Sequence, residues 1–246
     1  MNILIIGGTS GIGFGLAKNL VLNNNLFIGS RTPSDVFRCI DELSSVKKND
    51  ISVYGETLEA SSFKSVEKFI SKAYEKLSSI DVIINCSGSI LLKPPHMLKQ
   101  EEVEKVFGVN AYSCLALLKY GFPFMKANGG SFIFFSSAAS KIGLKNHEVI
   151  SGAKGAVSSI ALSAASTYAN YNIRVNVIAP GLVDTPMTKK ITDNKVSLDY
   201  SKKMHGLNRI GKIDNFVPIV NSLIDKNSDW ITGQTIFVDG GLSNVK

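Results

Sequence analysis

Long apolar runs are missing from this chain of 246 residues. No run approaches the roughly 20 consecutive apolar residues that a membrane-spanning helix needs. The opening Ile3-Leu4-Ile5-Ile6 stretch lacks a basic flank and passes directly into glycines, unlike a signal peptide. We therefore expect a protein that has no membrane partner and stays in the cytoplasm.

Cysteine is also scarce. The three cysteines are Cys39, Cys86 and Cys114. They are odd in number, widely spaced and never in a C-x-x-C arrangement, which argues against a disulfide framework and a zinc site. The three histidines have no ligand spacing with carboxylates or cysteines. The sequence predicts free thiols, buried or half-buried, and no metal.

The chain has no Arg-rich stripe, although its formal net charge is +7. Its lysines are scattered and are not interleaved with aromatic residues, so nucleic acid is not an expected partner. One local excess lies in residues 185–206, with Lys189, Lys190, Lys195, Lys202 and Lys203. These lysines are either a solvated surface or a means of steering an anionic small-molecule substrate.

Short apolar runs recur along the chain and predict its strands. They are Ile3–Ile6, Leu26–Ile28, Val82–Ile84, Phe132–Phe135, Val175–Ile178 and Ile236–Val238. Continuous apolarity without alternation is typical of strands that are buried on both faces, and segments with helical spacing lie between them. We predict an α/β fold in one domain, residues 1–246, with a doubly wound parallel sheet of about seven strands.

Two parts of this expected fold have further consequences. Residues 185–212 are polar and rich in lysine, and they come late in a fold whose ligands lie beyond the carboxyl ends of the strands. They are either a substrate lid or an ordinary surface connection. Residues 151–169 are rich in small side chains that allow a second helix to approach closely. Together with the helical segment 100–127, they predict a homo-oligomer, either a dimer or a tetramer.

A glycine-rich turn follows the first predicted strand and precedes a helix. It contains Gly7, Thr9, Ser10, Gly11, Ile12 and Gly13. Glycines at this position allow a tight turn and bring backbone N–H groups against a pyrophosphate at a helix N-terminus. A single such turn is weak evidence, but its place at the start of a βαβ unit strengthens the prediction of a dinucleotide site.

Ser30 and Arg31 stand where the second strand is expected to end. An acidic residue here would bind the ribose 2′-hydroxyl of NAD(H), whereas an arginine accommodates a 2′-phosphate. The pair therefore favours NADP(H) over NAD(H). The alternative is a loop arginine that faces solvent.

These segments, taken together, resemble the short-chain dehydrogenase/reductase family over essentially the whole chain. The residues that match its motifs are Gly7, Gly11 and Gly13 in the turn, Asn85 and Gly88 after the fourth strand, Asn110, Ser137, Lys154, and Pro180, Gly181 and Thr185 in the loop beside the nicotinamide. The resemblance implies a Rossmann-type fold. It also implies that Ser137 polarises a carbonyl and that Lys154 holds the nicotinamide ribose. Asn110 is either part of a proton relay or a buried structural amide.

The chain departs from the family at the Y-x-x-x-K motif, which aligns with Ile150-Ser151-Gly152-Ala153-Lys154. The tyrosine that donates the proton is replaced by Ile150. His147 lies three residues earlier, and an unperturbed histidine pKa of ~6.5 suits proton transfer. His147 is therefore either a substitute donor or a surface histidine at a helix start.

Three functions remain open from the sequence. The first is an NADP(H)-dependent oxidoreductase that reduces a carbonyl or oxidises an alcohol. The second is a catalytically silent NADP(H)-binding protein, and the third is a dehydratase or isomerase on the same fold. The retained Ser137, Asn110 and Lys154 favour the first function, whereas Ile150 favours the other two.

Overall fold

A computed structural model describes residues 1–245 and shows a single α/β domain built on a parallel sheet of seven strands. The strands are β1 (Asn2–Ile6), β2 (Asn25–Ser30), β3 (Val53–Thr57), β4 (Val82–Asn85), β5 (Gly130–Phe135), β6 (Ile173–Pro180) and β7 (Thr235–Val238). Their order is β3-β2-β1-β4-β5-β6-β7, and every neighbouring pair is parallel. The order reverses between β1 and β4, which is where such sheets bind ligands.

Helices cover both faces of the sheet. They are α1 (Gly11–Leu20), α2 (Pro33–Val46), α3 (Phe63–Leu77), α4 (Gln100–Phe107), α5 (Ser113–Met125), α6 (Glu148–Tyr168), α7 (Lys189–Thr192), α8 (Lys195–Met204) and α9 (Val217–Ile224). Successive side chains of β1 enter opposite layers, because side chains alternate along a strand. Ile3 and Ile5 pack in the layer of α1, α2 and α9, whereas Leu4 and Ile6 pack in the layer of α3, α5 and α6. The doubly wound prediction is confirmed.

The structure adds details that the sequence did not predict. The edge strand β3 was not visible as an apolar run, because only Val53 of its five residues is buried. Segment 100–127 is not one regular helix: a π-helix, Gly108–Tyr112, separates α4 from α5. Helix α6 begins at Glu148, so Lys154 lies inside this helix.

The predicted lid, residues 185–212, is largely helical. It contains the 3-10 helix Pro186–Thr188 followed by α7 and α8. The end of this segment pairs with the loop after β6 through a β-bridge between Gly211 and Val183. Within residues 1–245, no helix is long and apolar enough to cross a membrane, and no three His, Cys, Asp or Glu side chains form a cluster suited to a metal ion.

Candidate active site

The glycine-rich turn lies at the carboxyl end of β1 and leads directly into α1. Gly7 has a φ of 73°, and its N–H donates to the Gly29 carbonyl at 2.8 Å. A Cβ on Gly13 would lie 2.2 Å from the Gly7 carbonyl oxygen, so no side chain fits there. Ser10 is the N-cap of α1 and makes no capping bond with its side chain. The first turn of α1 therefore presents backbone N–H groups to an anion.

The loop after β4 packs against this turn. A Cβ on Gly7 would lie 2.8 Å from the Ser87 nitrogen. The buried Asn85 accepts a hydrogen bond from the Ser87 N–H at 3.1 Å and donates from Nδ2 to the Ser113 hydroxyl at 2.9 Å. Asn85 thus holds the loop in shape and ties it to the start of α5.

Arg31 is the first residue after β2 and is exposed. No described carboxylate forms an ion pair with it, so its guanidinium is available to a ligand within the part of the chain that the structure describes. The sequence did not single out Arg38 of α2, which donates to the Thr9 carbonyl at 3.2 Å and to Glu42 at 2.8 Å. No motif marked Arg38, because its contact with the turn depends on how α2 packs.

The loop after β6 completes the cleft. Pro180 ends β6, and a Cβ on Gly11 would lie 3.4 Å from Cβ of the buried Thr185. Thr185 therefore borders the glycine-rich turn. Gly181 is equally confined, since a Cβ there would lie 2.7 Å from Nε2 of His205. The sequence did not identify His205 as part of this loop.

The carboxyl end of β5 carries Ser137. This residue is the N-cap of a 3-10 helix, and its hydroxyl oxygen accepts from the Ala139 N–H at 3.2 Å. Two neighbouring serines join this turn to α6. Ser136 donates to the Lys154 carbonyl and Ser151 to the Ala139 carbonyl, both at 2.7 Å. The turn and the first half of α6 are therefore held in a fixed relation.

Lys154 is buried between α6 and the ends of β4 and β5. Its Nζ donates to the Phe135 carbonyl at 2.7 Å. Burial lowers the pKa of Lys154 to about 8, because the charged form loses its hydration. Burial also raises the pKa of the Cys86 thiol to about 12 and that of the Cys114 thiol to about 11. Both thiols are neutral near pH 7, so neither supplies a counter-charge to Lys154.

Asn110 lies in the π-helix Gly108–Tyr112 and is 1% exposed. Its Nδ2 donates to the Val106 carbonyl at 2.9 Å, but Oδ1 has no hydrogen-bond partner in residues 1–245. A Cβ on Gly88 would lie 3.0 Å from this Oδ1 and 3.6 Å from Nζ of Lys154. The two polar groups thus border one space beside Gly88. Short π-helical segments are frequent at functional sites.

Ile150 lies one helical turn before Lys154 and is 5% exposed. It belongs to a small apolar cluster with Val106, Val149 and Ala153. An isoleucine side chain has no proton to donate, so Ile150 contributes only packing to this part of α6.

His147 is the N-cap residue of α6 and is half-buried. Its Nδ1 lies 2.7 Å from the Lys145 carbonyl oxygen. None of the hydrogen bonds among residues 1–245 joins it to Ser137, Asn110 or Lys154. The structure therefore places His147 at a helix start, as its alternative interpretation had it, and leaves its role as a proton donor untested.

The predicted site residues therefore gather at one edge of the sheet. The carboxyl end of β1 supplies the glycine-rich turn with Thr9, Ser10 and Ile12, and the ends of β2, β4, β5 and β6 supply Ser30 and Arg31, Asn85 and Gly88, Ser137, and Pro180, Gly181 and Thr185. Helices add Asn110 and Lys154. A helix N-terminus, a glycine cradle and an unpaired arginine fit the phosphates and ribose of a dinucleotide.

Known proteins are similar to this chain over nearly its whole length. A family profile described as Enoyl-(Acyl carrier protein) reductase matches residues 7–243. A tropinone reductase homolog of Arabidopsis thaliana is 30% identical over 98% of this chain and 91% of its own length. Dehydrogenase/reductase SDR family member 4 of Mus musculus is 27% identical over 97% of this chain and 85% of its own.

Solved structures agree in fold. A short-chain type dehydrogenase/reductase from Mycobacterium ulcerans superposes with a TM-score of 0.93 at 26% identity, covering 100% of this chain and 90% of that one. An actinorhodin polyketide ketoreductase, solved with NADPH, superposes with a TM-score of 0.91 at 22% identity, covering 99% of this chain and 97% of that one.

Proposed function

The chain belongs to the short-chain dehydrogenase/reductase family and is an oxidoreductase of that family, and from this premise we propose that it reduces a carbonyl of a small substrate with NADPH, or oxidises the corresponding alcohol with NADP⁺. One observation carries the proposal. Ser137, Asn110 and Lys154, which come from three separate elements, lie around the same end of the sheet as the glycine-rich turn.

The chain's own residues account for each part of the dinucleotide. We assign the pyrophosphate to the N-terminus of α1 with Gly7 and Ser10, and the nicotinamide ribose to Lys154 and the loop at Gly88. We assign the 2′-phosphate to Ser30 and Arg31. The preference for NADP(H) over NAD(H) rests on Arg31, which is exposed and has no acidic neighbour paired with it in residues 1–245.

The bound nicotinamide supplies the hydride, and the chain positions and polarises the substrate. The Ser137 oxygen already accepts from the Ala139 N–H. Its hydroxyl proton has no acceptor among residues 1–245, so it is free to donate to a substrate oxygen. A preorganised donor of this kind stabilises the negative charge that develops on that oxygen.

The proton that completes the reduction needs a source other than tyrosine, because we align the family's tyrosine with Ile150. His147 is one candidate. With Nδ1 directed at the Lys145 carbonyl, Nε2 is left for exchange with a substrate. Loss of a positioned general acid costs ~10²–10⁴ in rate, so a substitute donor makes the difference between slow and efficient turnover.

We further propose that residues 185–212 act as a lid over a small, anionic substrate. Lys190, Lys195 and Lys203 form no described ion pair within residues 1–245. Self-association through segments 100–127 and 151–169 into a dimer or tetramer, and a location in the cytoplasm, complete the proposal. An exposed Leu162 on α6 is available for such an interface.

The test is a fluorescence titration with NADPH and NADH, followed by NADPH oxidation with a panel of ketones and keto acids. Wild type, Ile150→Tyr and Ile150→Phe are compared, and the phenylalanine variant controls for added bulk without a hydroxyl. We expect tight NADPH binding and turnover in wild type, and faster turnover in Ile150→Tyr than in Ile150→Phe.

A second function is favoured by one observation, the burial among apolar side chains of Ile150, the residue that we align with the family's acid. In that case the protein binds NADP(H) without hydride transfer. Tight binding with turnover in Ile150→Tyr alone would establish this function and overturn our proposal.

A further inference from the structure

The buried ammonium of Lys154 lacks an ionic partner. No carboxylate in residues 1–245 forms a salt bridge with it. Its one described acceptor is the Phe135 carbonyl at 2.7 Å. An ammonium carries three N–H donors. Two of them therefore have no acceptor in the described chain, which is unusual for a buried cation.

The ammonium lies beside Gly88 and close to the side chain of Asn110. Nζ of Lys154 and Oδ1 of Asn110 both lie within 4 Å of the position that a Cβ on Gly88 would take, and Cε of Met187 lies 3.8 Å from it. Gly88 follows β4, whereas Met187 follows β6. The ammonium thus borders the space between the two loops that we assign to the nicotinamide.

The neighbouring hydroxyl and thiol groups are less suited to donate a proton. Ser151 is occupied with the Ala139 carbonyl, and Ser136 with the Lys154 carbonyl. The pKa values of the Cys86 and Cys114 thiols are about 12 and about 11, so neither thiol gives up its proton readily near neutral pH. Ser137 has a free hydroxyl hydrogen, but an unassisted hydroxyl is a weak acid.

We propose that the ammonium of Lys154 itself delivers the proton to the substrate oxygen, in place of the family's tyrosine. This inference rests on the proposed reductase function. With a hydride supplied to the carbonyl carbon by a bound reduced nicotinamide, one N–H bond of Lys154 would break and an O–H bond would form on the substrate. The electron pair of that N–H bond stays on Nζ. The cofactor is oxidised, the carbonyl is reduced, and the neutral amine regains a proton from solvent.

The pH dependence of this step has a definite sign. Reduction needs the charged form, so its rate falls as pH rises through the pKa of Lys154, which burial lowers to about 8. Alcohol oxidation needs the neutral amine, so its rate rises through the same value. Cys86 and Cys114 are the titratable groups that affect Lys154, and both stay neutral over this range.

The first test measures kcat for carbonyl reduction from pH 6 to 10 at saturating NADPH. Wild type is compared with Lys154→Arg, which keeps the positive charge but does not release a proton in this range. Lys68→Arg is the matched control on an exposed lysine of α3. We expect kcat to fall above about pH 8 in wild type and in the control. In Lys154→Arg we expect a kcat lower by ~10²–10⁴, with an NADPH Kd within about tenfold of wild type.

A second readout does not depend on turnover. NMR titration of protein labelled at lysine ¹³Cε gives the pKa of Lys154 directly, and the signal is assigned by its loss in Lys154→Arg. We expect this pKa, in the NADP⁺ complex, to coincide with the kinetic one.

The outcomes separate the inference from the function on which it rests. Wild-type turnover with an unchanged kcat and pH limb in Lys154→Arg would overturn the inference alone. So would a pH dependence of kcat that disappears in His147→Ala, because that result would assign the proton to histidine. Absence of wild-type turnover with every carbonyl would overturn the proposed function and, with it, this inference.

Discussion

The backbone N–H of Leu182 donates to Nε2 of His205 at 3.2 Å. The other ring nitrogen, Nδ1, lies 2.6 Å from the Ser201 carbonyl oxygen in α8. Since Nε2 accepts, Nδ1 carries the proton, and the buried ring is a neutral imidazole with both nitrogens bonded. His205 therefore ties α8 to the loop after β6, which is the loop that we assign to the nicotinamide.

Replacing His205 should loosen this connection. In His205→Ala, the N–H of the half-buried Leu182 loses its acceptor, which costs about 0.5–1.5 kcal/mol of unfolding free energy. We expect a weaker affinity for NADPH and for the substrate, measured by titration and by KM. His96→Ala is the matched control, because His96 is exposed, and such substitutions usually change stability by less than about 0.5 kcal/mol. Equal stability in the two variants would contradict the assignment.

Arg31 sets the expected cofactor preference. A charge-assisted hydrogen bond contributes about 1.5–3 kcal/mol, so Arg31→Ala should raise the NADPH Kd by about 10- to 100-fold. The NADH Kd serves as the internal control and should change little, because NADH lacks the 2′-phosphate. Lys47→Ala, on a half-buried lysine beyond α2, should affect neither. Equal loss of both cofactors in Arg31→Ala would refute the role of this residue.

Much of the fold could be predicted from the sequence, because buried parallel strands are continuous apolar runs. Six of the predicted runs lie within the observed strands. The edge strand β3 escaped notice, since Gly55, Glu56 and Thr57 face partly into solvent and lack that signature. The helices of the lid escaped notice for a related reason: α8 has no buried residue, so it shows no apolar stripe.

The candidate site, like the fold, could be predicted only in part. Glycine positions were predictable because a tight turn leaves no room for a Cβ, as Gly13 shows. The contact of His205 with Leu182 was not, because it joins residues that no motif connects. The unpaired Oδ1 of Asn110 also depends on tertiary packing around a π-helix, and a sequence pattern does not report that.

Leu162 tests the proposed subunit interface. Its side chain is 62% exposed on α6, so Leu162→Lys should leave the fold of one subunit largely unchanged. We expect light scattering to show a smaller species in this variant than in wild type. The control is Leu22→Lys, an exposed leucine after α1, which should not alter the mass. A monomeric wild type would disprove the interface, and an unchanged oligomer in Leu162→Lys would exclude this helix face.

Lys154 should also make stability depend on pH. Its pKa is about 8 in the folded protein, against an ordinary value of 10.5. Between these values the unfolded chain binds a proton that the folded protein does not, so the stability contributed by this residue rises with pH through this window and is lost as pH falls towards 8. At about 1.4 kcal/mol for each pKa unit, the change amounts to roughly 3 kcal/mol.

Urea unfolding at pH 7.5 and at pH 10 measures this effect by difference. In Lys154→Met, the Phe135 carbonyl loses its donor at both pH values. This cost cancels when the stability of one protein at pH 7.5 is subtracted from its stability at pH 10. Other titrating groups contribute to wild type and variant alike, so they cancel between the two proteins. We expect the gain in unfolding free energy from pH 7.5 to pH 10 to be smaller in Lys154→Met than in wild type by up to about 3 kcal/mol, and unchanged in Lys68→Met. Equal gains in unfolding free energy in all three proteins would mean that burial does not lower the pKa of Lys154. That result would also contradict the proposal that Lys154 delivers a proton near neutral pH.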